Sequence, residues 1–497
     1  MGSALFTGIA AVFGSPLCIG LIFIGVGIGI MFGAVPGLTA TTAIAMFLPI
    51  TFALDITPSI SLLIALYIGG ISGGLISAIL LNMPGTPSSI ATCFDGRPLA
   101  LKGQAGKALG AGIVFSFIGT ILSILVLIGI AKPLASVTIR FGPWEYFGVT
   151  FFSLSLIAGL SGKSIIKGLM TAVLGMIFGT VGSAPIDGVM RFTFGTNALS
   201  AGFQTMTVLV GLYAIGEVLD TAGLMQSGKD PKIETNVKLK GAGFTFAEFK
   251  GQIANLFRSA LIGIGIGILP GIGGGTSNLI AYSAARSSSK YPEKFGTGVI
   301  DGVVASEAAN NATIGGAMIP LLTLGIPGDA VTAMLLGGFI IQGVQPGPLI
   351  FVNHASVVYG VFAAMILASV MMLFWAFAGM RLFIKLLRVP KNYLLPVIMV
   401  LCMVGAFALN KRTFDVWAIL FFGLVGYALQ KTRFPLPPLI LGFVLGGTFE
   451  TNLRRGLQIS GGSFKGLVTS PIAMVFFLAG VVSILFYLLK QLKKTSV

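Results

Sequence analysis

Four proline-glycine pairs interrupt apolar stretches of the sequence, and they are the first residues whose arrangement indicates chemistry. They are Pro36-Gly37, Pro84-Gly85, Pro270-Gly271 and Pro327-Gly328. Proline lacks a backbone donor and glycine permits unusual dihedral angles, so each pair is predicted to break a helix. Inside a membrane, a broken helix is tolerated only where protein buries it or where it lines a watery cavity. The four breaks therefore mark a candidate binding site.

A helix that restarts after a break offers free backbone N–H groups and the positive end of its dipole, which favours an anion such as a carboxylate. Glycines and small polar side chains around the breaks can add hydrogen bonds. Besides the eight break residues, the predicted substrate-binding set contains Thr39, Asn82, Thr86, Ser88, Ser89, Gly274, Thr276, Ser277 and Asn278. The alternative is that small residues only let helices pack closely. Two matched pairs of breaks favour the binding interpretation.

Two carboxylates of the second half, Glu307 and Asp329, lie in apolar sequence beside candidate site residues. Ionisable residues in such surroundings are costly and usually functional. With the amides of Asn310 and Asn311 they are predicted to ligate Na⁺, or the carboxylates to take up a proton. Each carboxylate can instead cap a helix or lie in a loop, and the two roles fit equally well. We expect no cofactor other than this coupling ion.

The sequence does not favour an enzyme. It contains one histidine, His354, so neither a histidine-rich metal site nor a histidine-based triad is available. Residues 157–164 resemble a phosphate-binding loop but lack its first glycine, and they lie between apolar runs. We therefore expect no hydrolysis of ATP by this chain.

Composition predicts an all-α polytopic membrane protein. Of 497 residues, 55% are hydrophobic and only 9% are charged, and the mean hydropathy is +0.99. Apolar runs of about 17–25 residues, long enough to span a bilayer, recur along the chain, and we expect about twelve transmembrane helices plus broken or re-entrant ones. The net charge of +16 comes from basic residues in short loops, which indicates positive-inside topology and no nucleic-acid partner.

The chain is predicted to consist of two internal repeats, residues 1–225 and 253–497, joined by a charged cytoplasmic linker at 226–252. The first breaks of the two halves lie 234 positions apart and the second breaks 243 positions apart. Basic residues follow the second break in the first half (Lys102, Lys107) but the first break in the second half (Arg286). If basic loops are cytoplasmic, the repeats are inverted. Lys411-Arg412 and Arg454-Arg455 do not fit this scheme.

The break motifs resemble those of one transporter family, the large membrane subunit (TctA type) of tripartite tricarboxylate transporters. The resemblance rests on Gly33-Ala-Val-Pro-Gly-Leu-Thr39, Leu66-Tyr67-Ile-Gly-Gly70, Asn82-Met-Pro-Gly-Thr-Pro87, Asp95-Gly-Arg-Pro98, Leu269-Pro-Gly271 and Gly325-Ile-Pro-Gly328-Asp329. It implies a multi-pass permease of the bacterial inner membrane that imports a di- or tricarboxylate such as citrate, driven by Na⁺ or H⁺. It also implies two partners, a small four-helix membrane subunit and a periplasmic solute-binding protein.

Two other functions stay open at this point. An uncoupled organic-anion channel would use the same helix termini without an ion gradient. A scaffold or receptor would not transport at all, although polar breaks in apolar sequence argue against it. The sequence leaves the carboxylate, the coupling ion and an oligomeric assembly open.

Overall fold

The computed structural model of the protein describes residues 2–35, 38–82, 84–156, 164–226, 244–270, 273–380, 382–383 and 391–495. These residues are predominantly helical, as expected. The helices are α1 (Gly2–Phe13), α2 (Pro16–Ala34), α3 (Ala40–Phe47), α4 (Ile56–Leu81), α5 (Ile90–Leu99), α6 (Ala105–Thr138), α7 (Pro143–Ser155), α8 (Ile165–Gly179), α9 (Thr205–Val210), α10 (Gly216–Gln226), α11 (Phe246–Gly251), α12 (Ile253–Ile268), α13 (Gly273–Ser287), α14 (Ile300–Leu324), α15 (Ala330–Ile341), α16 (Ile350–Asn353), α17 (Ala355–Ala378), α18 (Lys391–Asn410), α19 (Thr413–Lys431), α20 (Leu436–Ile459), α21 (Lys465–Thr469) and α22 (Pro471–Thr495).

Short irregular turns connect several of these helices. Single 3₁₀ turns cover Leu48–Ala53 and Pro87–Ser89, and π turns at Ala100–Gln104 and Gly211–Ile215 join helices end to end. A two-stranded antiparallel ribbon, β1 (Gly182–Ser183) with β2 (Met190–Arg191), is the sheet of the described part of the chain.

Five of the described helices are long and apolar enough to cross a membrane. They are Pro16–Ala34, Ile56–Leu81, the continuous helical stretch Pro87–Thr138, Ala355–Ala378 and Thr413–Lys431. Shorter apolar helices accompany them, among them the segments beside the breaks. The chain therefore has the helices of a membrane protein, while the count of about twelve spans stays a prediction.

Contacts divide the chain into two compact units. Unit one comprises Met1–Ala135, Thr221–Ile268 and Gly273–Gly405, and unit two comprises Ser136–Asp220, Leu269–Ile272 and Ala406–Val497. Each predicted repeat thus gives its first part to unit one and its later part to unit two. The predicted boundaries divide the chain by internal similarity, whereas the two units divide it by contacts. The predicted boundaries therefore stay a prediction.

Unit one contains the same order of elements twice. An apolar helix, a break, a short helix, a long buried helix, a second break and another helix occur as α2 to α5 and again as α12 to α15. The long helices α4 and α14 both end in a left-handed residue, Asn82 (φ 56°) and Gly325 (φ 71°). These two residues are 243 positions apart, the spacing that the sequence predicted for the second breaks. The order of helices thus recurs, whereas two internal repeats with inverted orientation in a membrane stay a prediction.

Glycines let the helix before each first break touch the following long helix backbone to backbone. A Cβ atom on Gly33 of α2 would lie 2.1 Å from the carbonyl oxygen of Gly70 on α4. At the matching place in the second half, a Cβ on Gly267 of α12 would lie 2.8 Å from the carbonyl oxygen of Thr313 on α14. The glycine ladder therefore serves close packing.

Unit two uses the same device and adds ion pairs. A Cβ on Gly442 of α20 would lie 2.1 Å from the carbonyl oxygen of Ala172 on α8. Arg454 pairs with Asp187 at 2.9 Å and with Glu450 at 3.7 Å, and its guanidinium holds the pKa of Asp187 below the usual value. Arg454 was one of the basic residues that the predicted topology placed on the wrong side. Its charge is matched by two acids of the same unit.

Two segments that contain polar residues are helical. α4 begins at Ile56, directly after Asp55, and it buries Pro58 onward. Asp95 lies buried within α5. In both places one or two polar side chains lie within a helix and are surrounded by packed helices rather than by water.

The close approach of α2 and α4 can be tested by adding one carbon atom. We expect Gly33→Ala to lower the free energy of unfolding by about 1–3 kcal/mol, because the methyl group has no room beside the Gly70 carbonyl. Gly20→Ala is the matched control in the same helix, since its Cβ would meet nothing within 4 Å. Chemical unfolding in detergent micelles measures both. Equal stability of the two variants would contradict the packing argument.

Candidate functional site

In each half of unit one, the second break lies against the helix that precedes the first break. A Cβ on Gly85 would lie 2.0 Å from the carbonyl oxygen of Gly33, and a Cβ on Gly328 would lie 2.7 Å from that of Gly267. Any larger residue at either position would therefore clash with the neighbouring backbone. The second break of each half thus lies against the helix that precedes the first break, although Gly85 follows Gly33 by 52 positions and Gly328 follows Gly267 by 61 positions.

The second break of the first half also meets the start of α13 in the second half. Asn278 Nδ2 donates a hydrogen bond to the carbonyl oxygen of Ser88. A Cβ on Gly274 would lie 3.0 Å from Ser88 Cβ. We call this meeting point of the turn at residues 86–89 and the first two turns of α13 the junction.

Hydroxyl groups of the junction are buried and largely satisfy their own turn. Ser89 Oγ accepts the backbone N–H of Thr86 at 3.3 Å and donates to the Thr86 carbonyl at 2.9 Å. The hydroxyls of Thr86 and Ser88 lie 2.9 Å apart, and Ser277 Oγ donates to the Gly274 carbonyl at 3.1 Å. Hydroxyls can rotate, so these groups can also donate to a bound anion.

Two amide oxygens of unit one, Asn278 Oδ1 and Asn310 Oδ1, are buried without a hydrogen-bond partner. Both asparagine side chains are fully buried. Asn310 Oδ1 lies 2.6 Å from the position of a Cβ on Gly274, so it belongs to the junction. Leaving a buried acceptor unsatisfied costs about 1–3 kcal/mol.

The structure does not gather all predicted substrate residues at the junction. Thr39 caps α3 by accepting the backbone N–H of Thr42 at 3.3 Å. Asn82, Pro84 and Thr276 are exposed, whereas Pro270, Pro327 and Gly328 are buried. Pro36, Gly37 and Gly271 lie outside the described residues. The junction therefore brings together Gly85, Thr86, Ser88, Ser89, Gly274, Ser277 and Asn278, with Asn310 from the predicted ion set.

Glu307 is fully buried in α14 and accepts hydrogen bonds from neutral groups. Thr92 Oγ1 donates to its Oε1 at 2.5 Å, and Ser116 Oγ donates to its Oε2 at 3.0 Å. Among the described residues no lysine or arginine pairs with it. A buried carboxylate without a positive partner is costly, which makes Glu307 a candidate for binding a cation or a proton.

Asn311 extends this network across the two halves. Its Nδ2 donates to Ser116 Oγ at 2.7 Å and to the Glu307 carbonyl at 3.1 Å, and its Oδ1 accepts from Ser72 Oγ at 2.6 Å. Helices α4, α5, α6 and α14 thus share one buried polar cluster. Sequence reasoning missed Ser72, Thr92 and Ser116, because serine and threonine in apolar helices often bond only to their own backbone, as Ser369 does.

Asp329 has the capping role that the sequence offered as one of its two alternatives. Its Oδ1 accepts the backbone N–H and the hydroxyl of Thr332, both at 2.7 Å, at the start of α15. Its Oδ2 accepts from Tyr67 of α4 at 3.0 Å. Both carboxylate oxygens are therefore engaged, and its predicted role in ion binding stays untested.

Asp95 is a buried carboxylate whose role the sequence did not reveal. Its Oδ1 accepts the backbone N–H groups of Gly296, Gly298 and Val299 at 2.8–3.0 Å, and its Oδ2 accepts from Tyr282 at 2.8 Å. These amides precede α14, so Asp95 of α5 holds the start of the long helix that carries Glu307. It is a structural clamp between the halves.

The clamp can be tested with a neutral side chain of the same shape. We expect Asp95→Asn to lower the free energy of unfolding by about 1–3 kcal/mol, because three backbone donors lose a charged acceptor. Asp55→Asn is the control, since that exposed aspartate precedes α4 without a side-chain capping bond. Unfolding in detergent compares them, and a loss of stability in the control alone would refute the role.

Broken helices that meet around a buried polar cluster are the architecture of membrane transporters. Among the described residues no group of three or more His, Cys, Asp or Glu side chains comes together that could hold a metal ion. The sequence profile of the tripartite tricarboxylate transporter TctA family matches residues 19–441, and the chain belongs to this family. The family resemblance inferred from the break motifs is thereby confirmed.

Two relatives come from Agrobacterium vitis. The chain is similar to an uncharacterized 52.8 kDa protein in the TAR-I ttuC' 3' region, with 36% identity over 479 residues, which is 96% of this chain and 95% of the relative. It is also similar to an uncharacterized protein in the TAR-II ttuC' 3' region, with 37% identity over 228 residues, which is 46% of this chain and 94% of that relative. No solved structure matches the chain.

Proposed function

We propose that the chain is the permease subunit of a secondary active transporter that imports a di- or tricarboxylate such as citrate, coupled to Na⁺ or H⁺. Membership of the TctA family supports transport of this substrate class. The observation that carries the proposal for this chain is the junction. There a helix N-terminus and three buried hydroxyl groups from the other half of the chain meet inside an apolar unit.

The junction suits one end of a carboxylate substrate. α13 has fifteen residues, and its first turn, which carries the positive end of the helix dipole, lies beside the turn at residues 86–89. The hydroxyls of Thr86 and Ser88 can add donors. Among the described residues, no lysine or arginine contributes a full positive charge to the hydrogen bonds of the junction. A multiply charged anion therefore needs a cation or protons to enter, which is a physical reason for coupled transport.

Membership of the family supports a proposal for the setting of the permease. We place it in the bacterial inner membrane as a multi-pass protein of about twelve spans, with the two halves inverted. Its partners are a small four-helix membrane subunit and a periplasmic solute-binding protein that delivers the carboxylate. Inverted halves let one set of breaks face either side in turn, and this is how alternating access arises in many secondary transporters.

Reconstituted uptake tests the function directly. Proteoliposomes that contain the chain, its small membrane subunit and a matching binding protein should accumulate labelled citrate or tartrate above the outside concentration. Accumulation should require a Na⁺ or proton gradient. An aromatic acid serves as the comparison substrate. An uncoupled channel would only equilibrate the label, whatever the ion gradient, and that result would overturn the proposal.

Bulky residues at the second breaks should abolish this uptake. Gly85→Leu and Gly328→Leu each place side-chain atoms where a backbone already lies, so neither break can keep its geometry. Gly265→Leu is the matched control on α12, because a Cβ there would meet nothing within 4 Å. The amount of protein in the membrane fraction measures insertion, and it should be the same for the two break variants and the control. Wild-type transport in both break variants would exclude these breaks from the site.

The inverted arrangement predicts where two loops lie. Lys102 follows the second break of the first half and Gln345 follows the second break of the other half, and both are exposed. A cysteine introduced at Lys102 should react with an impermeant maleimide from the cytoplasm, and one at Gln345 from the opposite side. The native cysteines Cys18, Cys93 and Cys402 are buried and can be replaced first. Labelling of both positions from one side would exclude inversion.

A further inference from the structure

We propose that Asn278 Oδ1 and Asn310 Oδ1 form part of a binding site for a monovalent cation at the junction. The proposal rests on the proposed transport function, and it assigns the coupling ion to one place in the fold. It differs from the family-level expectation because it names two amide oxygens and excludes Asp329, whose Oδ1 caps α15 and whose Oδ2 accepts from Tyr67.

The orientation of both amides follows from their nitrogen atoms. Asn278 Nδ2 donates to the Ser88 carbonyl, and Asn310 Nδ2 lies 3.5 Å from the Ile71 carbonyl. Reversing either amide would place its oxygen against another oxygen, which is repulsive, and would leave its nitrogen without an acceptor. Each Oδ1 therefore faces away from a carbonyl of the first half, and neither finds a donor in the described protein.

The two oxygens occur at one junction and beside open backbone. Gly274 and Asn278 are four residues apart on α13, so they share one face of that helix. Asn310 Oδ1 lies 2.6 Å and Thr313 Oγ1 lies 3.3 Å from the position of a Cβ on Gly274. Any larger residue at position 274 would occupy this space. Fully buried acceptors beside a hydroxyl and a bare glycine call for a partner, either a hydrogen-bond donor or a cation.

The residue of α4 that corresponds to Asn310 by the spacing of the second breaks has a partner within the protein. It is Tyr67, which lies 243 residues before Asn310 and whose hydroxyl donates to Asp329 Oδ2 at 3.0 Å. Asn310 Oδ1, by contrast, finds no donor in the described protein.

The ligand atoms favour a monovalent cation over a divalent one. Amide and hydroxyl oxygens are hard, neutral ligands, whereas buried Ca²⁺ or Mg²⁺ takes carboxylates. A buried carboxylate beside these ligands, Glu307 of α14, accepts from Thr92, Ser116 and the Asn310 side chain, and its single negative charge suits a monovalent cation. The α13 N-terminus repels a lone cation, and a carboxylate bound there removes that repulsion. Cation and carboxylate should therefore strengthen each other's binding, by the same factor in both directions.

Cation titration of the purified full chain in lipid nanodiscs tests the site without substrate. At constant ionic strength, with choline as the replacement ion, NaCl should raise the unfolding temperature in a saturable way, and LiCl and KCl should do so in separate arms with other affinities. Asn278→Leu and Asn310→Leu should each raise the half-saturating salt concentration at least tenfold. Asn452→Leu, at an amide that bonds only to its own helix, should titrate like wild type.

Asn278→Asp keeps the test decisive if a leucine variant does not fold. It retains an oxygen ligand and adds charge, so it should bind the cation at least tenfold more tightly. An unfolding temperature that depends on none of the three ions in the wild type, as expected if only water fills the site, would overturn the proposal. So would leucine variants that respond like wild type. Because no carboxylate is present, either result leaves citrate uptake, and hence the proposed function, to be judged separately.

Discussion

The contact of bare backbone between α2 and α4, repeated between α12 and α14, is the constraint on which the rest of unit one depends. Where this contact occurs, Gly85 lies against the carbonyl oxygen of Gly33, and Gly328 lies against that of Gly267. Larger residues would hold these helices apart, and Gly85 and Gly328 would then no longer reach them. A buried polar centre is possible here because the backbone, and not a set of long side chains, determines the spacing.

Three buried carboxylates of unit one illustrate three solutions to the cost of buried charge. Asp95 takes three backbone donors and a tyrosine, and Asp329 takes a helix start and a tyrosine, so each is satisfied by fixed groups. Glu307 takes rotatable hydroxyls and one amide nitrogen. Groups that can reorient are compatible with two charge states, whereas backbone amides strongly favour the ionised form. The kind of donor therefore separates structural acids from a candidate for coupling.

Sequence reasoning predicted the second breaks and the membrane class because each leaves a local signature. Proline-glycine pairs and their spacing of 243 positions are visible in one dimension, and α4 and α14 end where that spacing requires. The partners of Glu307 and Asn311 were not predicted, since Ser72, Thr92 and Ser116 come from three helices and carry no motif. The unpaired oxygen of Asn278 could not be foreseen either, because it depends on Ser88 occupying the amide nitrogen. Thr276, one position from a junction residue, faces outward for reasons of helical phase alone.

The end of the linker has a consequence for how the two halves of the gene product are held together. Phe249 of α11 stacks on Phe115 of α6 with ring centroids 5.4 Å apart, and Glu248 pairs with Lys107. The second half therefore begins with an attachment to the first half before its membrane helices start. During synthesis, the nascent second half would be docked on α6 early, so its helices would insert beside a fixed neighbour rather than search for one. A chain severed between residues 227 and 243 would keep this attachment, and its two fragments would be expected to reassociate when they are produced together.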